Sequence, residues 1–349
     1  MAKGDRVVTV RGEISPHDLG ITLTHEHLLI DSSFYSDFYP LPKERWKRDL
    51  LEQPLKLENL WFARRQLFSF RDNMVVDDEN MVTDELESFK RSGGRSLADL
   101  TPLGLHGDPV AARRVSENSG VNVISGCGFY LEATYPKYVL GKSAEELSKE
   151  LTSLVEDGYG DTGIRAGLIG EVGTGPTVTK QEEKVLTAAA LAQKKTGAPI
   201  SVHLANIKGR NGPYVAKLMK EQGADMGKVV LCHLDMKYQD FGHQREIADF
   251  GTFLGMDGFG EEDYVENLGY LPPRDQERVV NIVALIDKGH LGQLLLSHDT
   301  CRKMQYKKYG GQGFDHLLRN VVPLMKSAGL TNKEIRTMFV KNPARLLAF

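Results

Sequence analysis

The chain has 349 residues, 41% of them hydrophobic and 26% charged, the proportions of an ordinary soluble globular protein. A formal net charge of −3 gives no electrostatic ground for binding nucleic acid or an anionic membrane surface. No run approaches the ~18 apolar residues of a spanning helix, and MAKGDRVVTV lacks the apolar core of a secretory signal, so a cytoplasmic protein is expected.

The first strand candidate, residues 21–28, contains THEH. Side chains two apart in a strand share a face, so His25 and His27 look into one space and Glu26 looks away. Glu26 reads as a buried anchor or a helix-facing salt bridge, with support of a ligand as the alternative. Residues 32–75 are too long for an ordinary strand-to-helix connection. They read as a helical insertion after strand one, either a packing extension or a substrate-facing lid. The amphipathic stretch DENMVTDELESFKRSGG follows, then strand candidates at 96–101 and 121–128. The latter runs into Phe129 and Tyr130; Tyr130 either orients a substrate at the mouth or packs there with Phe129. The fourth strand, 166–172, carries Glu171 near its end. The helix after it has a capping box from Thr179 to Glu182 and a stop at Gly197. Strands five to eight fall at 199–204, 229–234, 252–257 and 293–298, ending in or near His203, His233 and Asp299. A second capping box, Thr331 to Glu334, opens the last helix. Eight strands alternating with helices predict an α/β fold, the closed (β/α)8 TIM barrel, as one domain over residues 1–349.

In such barrels the site lies at the C-terminal ends of the strands. Taken singly, each polar residue there has a bland explanation, as a satisfied core histidine or a helix-capping carboxylate. Four histidines and two carboxylates at the strand ends of one barrel do not. Six donors are too many for one zinc, which takes about four. They suit two divalent ions: His25, His27 and Asp299 for the first, His203 and His233 for the second, Glu171 between them. Zinc suits imidazole, and manganese or another first-row ion could load instead. Two ions, two carboxylates and one bridging hydroxide leave a net charge of about +1, which favours hydroxide over water. Asp299, beside that hydroxide, is the catalytic proton acceptor.

His17, His106, His243, His290 and His316 are expected at the surface or as caps, and His298 toward the helices. Cys127, Cys232 and Cys301 form no spaced framework and read as reduced thiols, Cys232 facing away from His233. Past Asp299, Arg302, Lys303, Lys307 and Lys308 form a basic cluster, and Gly310, Gly311 and Gly313 lead into a helix where barrels often bind anions. Arg302 is the candidate clamp for an anionic group; the lysines read equally well as a solvated turn.

THEH, the single histidines ending strands five and six, and SHD on strand eight resemble the phosphotriesterase family of the amidohydrolase superfamily. The likeness runs from LGITLTHEHL to NPARLLAF, and VISGCGFY, GLIGEVG and KYGGQGFDHLLRNVVP are similar to its phosphotriesterase-related branch. The resemblance implies a (β/α)8 barrel, a binuclear centre that is usually zinc, and hydrolysis by a bridging hydroxide. Its ligands carry over onto His25, His27, Glu171, His203, His233 and Asp299. Strand four has no lysine, so Glu171 replaces the carbamylated lysine of true phosphotriesterases and none is expected here. Gly258, where lactonases of the group tend to carry arginine, argues against lipophilic lactones. The expected activity is hydrolysis of a small ester, lactone or amide, with Tyr130 and Arg302 as substrate residues and Arg302 suited to an anionic tail. A promiscuous organophosphate triester hydrolase and a non-catalytic small-molecule-binding barrel are the alternatives. The expected partner is a small molecule, with neither nucleic acid nor membrane; a homodimer is the candidate assembly.

Overall fold

Eight short runs of buried apolar residues pair side by side in sequence order. They are β1 (Ile21–Glu26), β2 (Gly94–Asp99), β3 (Asn122–Cys127), β4 (Leu168–Thr174), β5 (Ile200–Leu204), β6 (Val229–Leu231), β7 (Phe253–Met256) and β8 (Leu294–Leu296). Each is parallel to the next, and helices such as Glu79–Arg91, Lys180–Thr196 and Asp275–Asp287 return the chain between them. The computed structural model describes residues 6–39, 41–205 and 207–349, so the first five residues of the amino-terminal stretch and Pro40 of the insertion lie outside it.

Alternation along the strands divides the core. Val123, Leu231, Leu254 and Leu294 join the large cluster under the helices. Their neighbours Ile124, Val230, Phe253 and Leu295 form a smaller cluster inside the barrel, with Leu346 and Leu347 of the last helix. This is the eight-stranded parallel barrel expected from the sequence, with strand ends that differ from the expected ones by up to three residues. Both capping boxes form: Thr179 with Glu182, and Thr331 with Glu334.

Glu26 closes the seam between β8 and β1. Its side chain is fully buried and accepts from Ser297 Oγ (2.8 Å), the backbone N–H of His298 (2.9 Å) and of Thr300 (2.9 Å), and His298 Nδ1 (2.8 Å). Burial opposes its charge, yet His298 and these donors hold it below the usual carboxylate range. The Asp299 N–H then donates to the carbonyl of His25 (3.2 Å) and the His27 N–H to that of Thr300 (3.1 Å). Glu26 is thus the buried anchor, and His298 faces the helices as expected.

The insertion over 32–75 folds as short helical turns, Ser33–Phe38, Arg45–Leu51, Leu60–Ala63 and Arg71–Met74. An antiparallel ribbon of Ile30–Asp31 with Val75–Val76 ties its base. It owns a small core of Leu51, Leu55, Phe62 and Phe70, and packs Val265 and Met304 of the barrel loops against it. It also sends Tyr35, Tyr39 and Phe68 over the barrel mouth. Extension and lid are therefore one element.

Three expectations fail. His243 and His316 are buried, not on the surface; His316 Nε2 meets Asp275 Oδ2 at 2.6 Å. Lys303, Lys307 and Lys308 pair with Asp72, Asp315 and Asp78 rather than standing free, and Lys303 is buried while Lys308 stays exposed. Cys232 lies inside the barrel, its sulfur within 4.8 Å of a ring nitrogen of His25 and a carboxylate oxygen of Asp257. Alternation misleads there because His233 leaves the strand in a left-handed conformation, φ 61°.

Candidate active site

The histidine pair depends on an irregular first strand. β1 pairs with β2 as Leu23↔Leu97 and then Glu26↔Asp99, so the register slips between them. The slip leaves His25 and His27 facing the interior while Glu26 reaches β8. Glu171 sits inside β4, after a cis peptide from Gly170, and His203 is the penultimate residue of β5. His233 and Asp299 follow β6 and β8 with φ of 61° and 54°. Left-handed backbone is uncommon outside glycine and gathers at functional sites.

These elements bring all six candidate ligands together. His25 Nε2 is 3.4 Å from Glu171 Oε1 and 3.7 Å from Asp299 Oδ1. His27 Nε2 is 3.2 Å from Asp299 Oδ1 and 4.0 Å from Glu171 Oε2. On the far side, His203 Nδ1 and His233 Nε2 approach Glu171 Oε1 at 3.2 and 3.6 Å. The Glu171 carboxylate is thus common to both halves.

Three imidazoles are held from behind. Asp257 accepts from Nδ1 of both His25 and His233 (2.9 Å each) and from the His233 backbone N–H (2.8 Å). Thr101 Oγ1 meets His27 Nδ1 at 3.0 Å and donates to Asp99 (2.7 Å). With Nδ1 engaged, each ring turns Nε2 inward, the arrangement that orients histidine ligands in metal sites. His25 Nε2 and Glu171 Oε1 are buried, face one another and have no hydrogen-bond partner among the described residues. Orphaned polar atoms are costly in a protein interior, and a cation between them removes the cost. Among the described residues, the metal-capable groups include His25–His27–Glu171 and Glu171–His203–His233. The residues present therefore fit a pair of metal ions.

The charges agree. Burial disfavours an ionised Glu171, but His25 and His203 outweigh it and hold the carboxyl well below the usual range. Asp299 is likewise lowered against its burial by His27 and His25. Burial pushes His203 down, toward the neutral imidazole a metal needs.

The pocket above encloses about 1100 Å3, part of it open to solvent. Tyr130 leans over the ring, its hydroxyl 3.3 Å from His203 Nδ1 and 2.5 Å from the Tyr35 hydroxyl. Burial and Tyr35 hold its phenol well above the usual value, so it stays a donor. Arg302 also lines the pocket, but its guanidinium pairs with Glu261 and lies over Phe68. The glycines after it line a neighbouring pocket rather than this one; a Cβ on Gly311 would lie 2.2 Å from the Gln305 carbonyl, so that turn is backbone against backbone.

Sequence reasoning passed over Asp257, Asp99 and Thr101. The signal was available, since a carboxylate at a strand end was the rule that found Glu171 and Asp299. It also missed the fully buried pair Arg278–Asp235 (2.7 Å), whose Asp235 accepts from the N–H groups of Asp257 and Gly258. Arg278 Nη2 would lie 3.0 Å from a Cβ added at Gly258, so a side chain there meets an arginine brought in from another element.

A family model described as the phosphotriesterase family matches residues 5–347. The chain is similar to the N-acetyltaurine hydrolase of Xenopus tropicalis, 34% identical over 350 residues that cover 99% of this chain and 98% of that one. Among solved structures it is similar to a resiniferatoxin-binding protein from Rhodobacter sphaeroides, at 36% identity and a TM-score of 0.96, covering 99% of this chain and 96% of that one. It is also similar to a phosphotriesterase homology protein from Escherichia coli complexed with phosphate in its active site, at 27% identity and a TM-score of 0.79, covering 95% and 99%. The chain belongs to the phosphotriesterase family, whose enzymes use divalent metals, and is a hydrolase.

Proposed function

We propose that the protein is a binuclear metal-dependent amide hydrolase of small N-acyl amines, with N-acetyltaurine the first substrate to test. The Glu171 carboxylate carries the reading: four imidazoles surround it, and one of its buried oxygens has no hydrogen-bond partner among the described residues. The amide class follows from similarity to N-acetyltaurine hydrolases along nearly the whole length of both chains. His25, His27 and Asp299 would hold one ion, His203 and His233 the other, and Glu171 both. Zinc suits this donor set best, with manganese as the alternative. When bound, such a pair supplies a hydroxide nucleophile and polarises the carbonyl.

The chain's own residues do the rest. Asp299 is ionised, sits at the pocket floor and can accept the nucleophile's proton, then return it to the departing amine nitrogen. The Tyr130 O–H can donate to the substrate's acyl oxygen, steadied by the Tyr35 hydroxyl. Phe68, Tyr35 and Leu204 exclude water around the scissile bond.

The test is acetate release from N-acetyltaurine by zinc-loaded protein, beside an aliphatic lactone and an aryl phosphotriester. The amide should be the preferred substrate by kcat/KM. A phosphotriester or lactone hydrolysed faster than every amide offered would overturn the assignment.

A further inference from the structure

Beyond the six gathered ligands, the charged side chains lining the pocket among the described residues are Glu261, Arg302 and Lys208. Glu261 and Arg302 pair with one another, both largely buried, so their charges cancel toward the substrate. Lys208 differs. It is exposed, stands on the loop that leaves β5 after His203, and makes no ion pair or hydrogen bond with any described residue. Nearby cations are committed elsewhere: Arg210 to Asp240, Lys237 to the Gly209 carbonyl.

We propose that Lys208 binds the anionic end of the substrate, and so selects amides that carry a sulfonate or carboxylate away from the scissile bond. The proposal rests on the amide-hydrolase reading and moves the anion role from Arg302 to Lys208. An ammonium on a four-carbon stem is a compact point charge with three donors, suited to the rotating oxygens of a sulfonate. Arg302 already has its charge balanced by Glu261. Apolar Ile207, Leu204 and Phe68 line the same pocket as Lys208 and the metal-ligand ring. They cover the short carbon link of such a substrate, and their low dielectric strengthens a charge contact at its end.

The experiment compares wild type, Lys208→Met and Lys208→Arg as zinc-loaded full-length proteins. Two substrates are used, N-acetyltaurine and the uncharged N-propylacetamide, and ethanesulfonate binding is measured separately by calorimetry. In Lys208→Met the preference for the charged amide should fall about 10- to 100-fold, through KM rather than kcat, the size of one charged hydrogen bond. Ethanesulfonate should bind more weakly by a similar factor, and Lys208→Arg should recover most of both. Equal losses on the two amides, or ethanesulfonate binding that Lys208→Met leaves alone, would overturn the proposal. If wild type cleaves neither amide, the amide reading falls, while ethanesulfonate binding still decides Lys208.

Discussion

The ring of strand-end side chains and the insertion that roofs it are held in different proportions by directional bonds and by apolar packing. In the ring, directional bonds fix three of the four imidazoles: Asp257 turns His25 and His233, and Thr101 turns His27. The roof relies on apolar packing. Leu51, Leu55, Phe62 and Phe70 make its core, while Phe38, Trp46 and Trp61 stay 59%, 52% and 55% exposed. Polar ties to the barrel supplement that packing, among them Lys303–Asp72, Gln66–Glu266, the Met304 N–H to Asn73 and Tyr35–Tyr130. The contrast separates two jobs. Chemistry needs donors placed to within a fraction of an ångström, and hydrogen bonds do that; a substrate surface needs only shape, and packing suffices.

Substitutions in the two regions should therefore fail in different ways. Asp299→Ala should lower kcat by about 10^3-fold or more, within the usual worth of a general acid–base group together with a lost ligand. Thermal unfolding of that variant should remain cooperative. Asp257→Ala touches no substrate, yet it should weaken metal binding about 10- to 100-fold, the usual cost of losing a group that orients histidine ligands. A chelator titration reads this directly, and unchanged metal affinity would erase the distinction between ring and roof. Phe68→Ala, in the roof, should leave metal content alone and raise KM for the amide by about 10-fold through lost apolar contact.

The ring was more legible in the sequence than the roof, for a physical reason. His25, His27, Glu171, His203, His233 and Asp299 are residue types with few uses at strand ends, so type and position together identify them. Their supports are of the same types, and Asp257 lay in view at the end of β7, yet a supporting role shows only when the rings are placed. Cys232 and His316 were misread because alternation and exposure are local rules. A left-handed residue after β6 breaks the first, and long-range packing overrides the second. Arg278, on the helix Asp275–Asp287, reaches Asp235 with no local signal at all. In the roof, short helical turns carry no sustained period, so length and aromatic content were legible but not which rings face the pocket.

A smaller effect concerns acid stability behind the ring. Asp275 is held below the usual carboxylate range: burial opposes this, but the hydrogen bond from His316 outweighs it. A depressed folded value means its contribution is fully present above the unfolded pKa of about 3.9 and is lost as pH falls through the folded value. The stability gap between wild type and Asp275→Asn, measured by urea unfolding, should thus be flat at neutral pH and narrow below about pH 4. A gap that stays constant in acid would show that Asp275 acts only through packing.

The most direct test is of Glu171 itself, by counting metal. Apoprotein reconstituted with zinc in buffer stripped of bicarbonate should bind two ions per chain, and Glu171→Gln should lose affinity for both together, because one carboxylate serves both halves of the ring. A wild type that saturates at one ion, a requirement for bicarbonate, or a Glu171→Gln protein that keeps one ion at full affinity would contradict it.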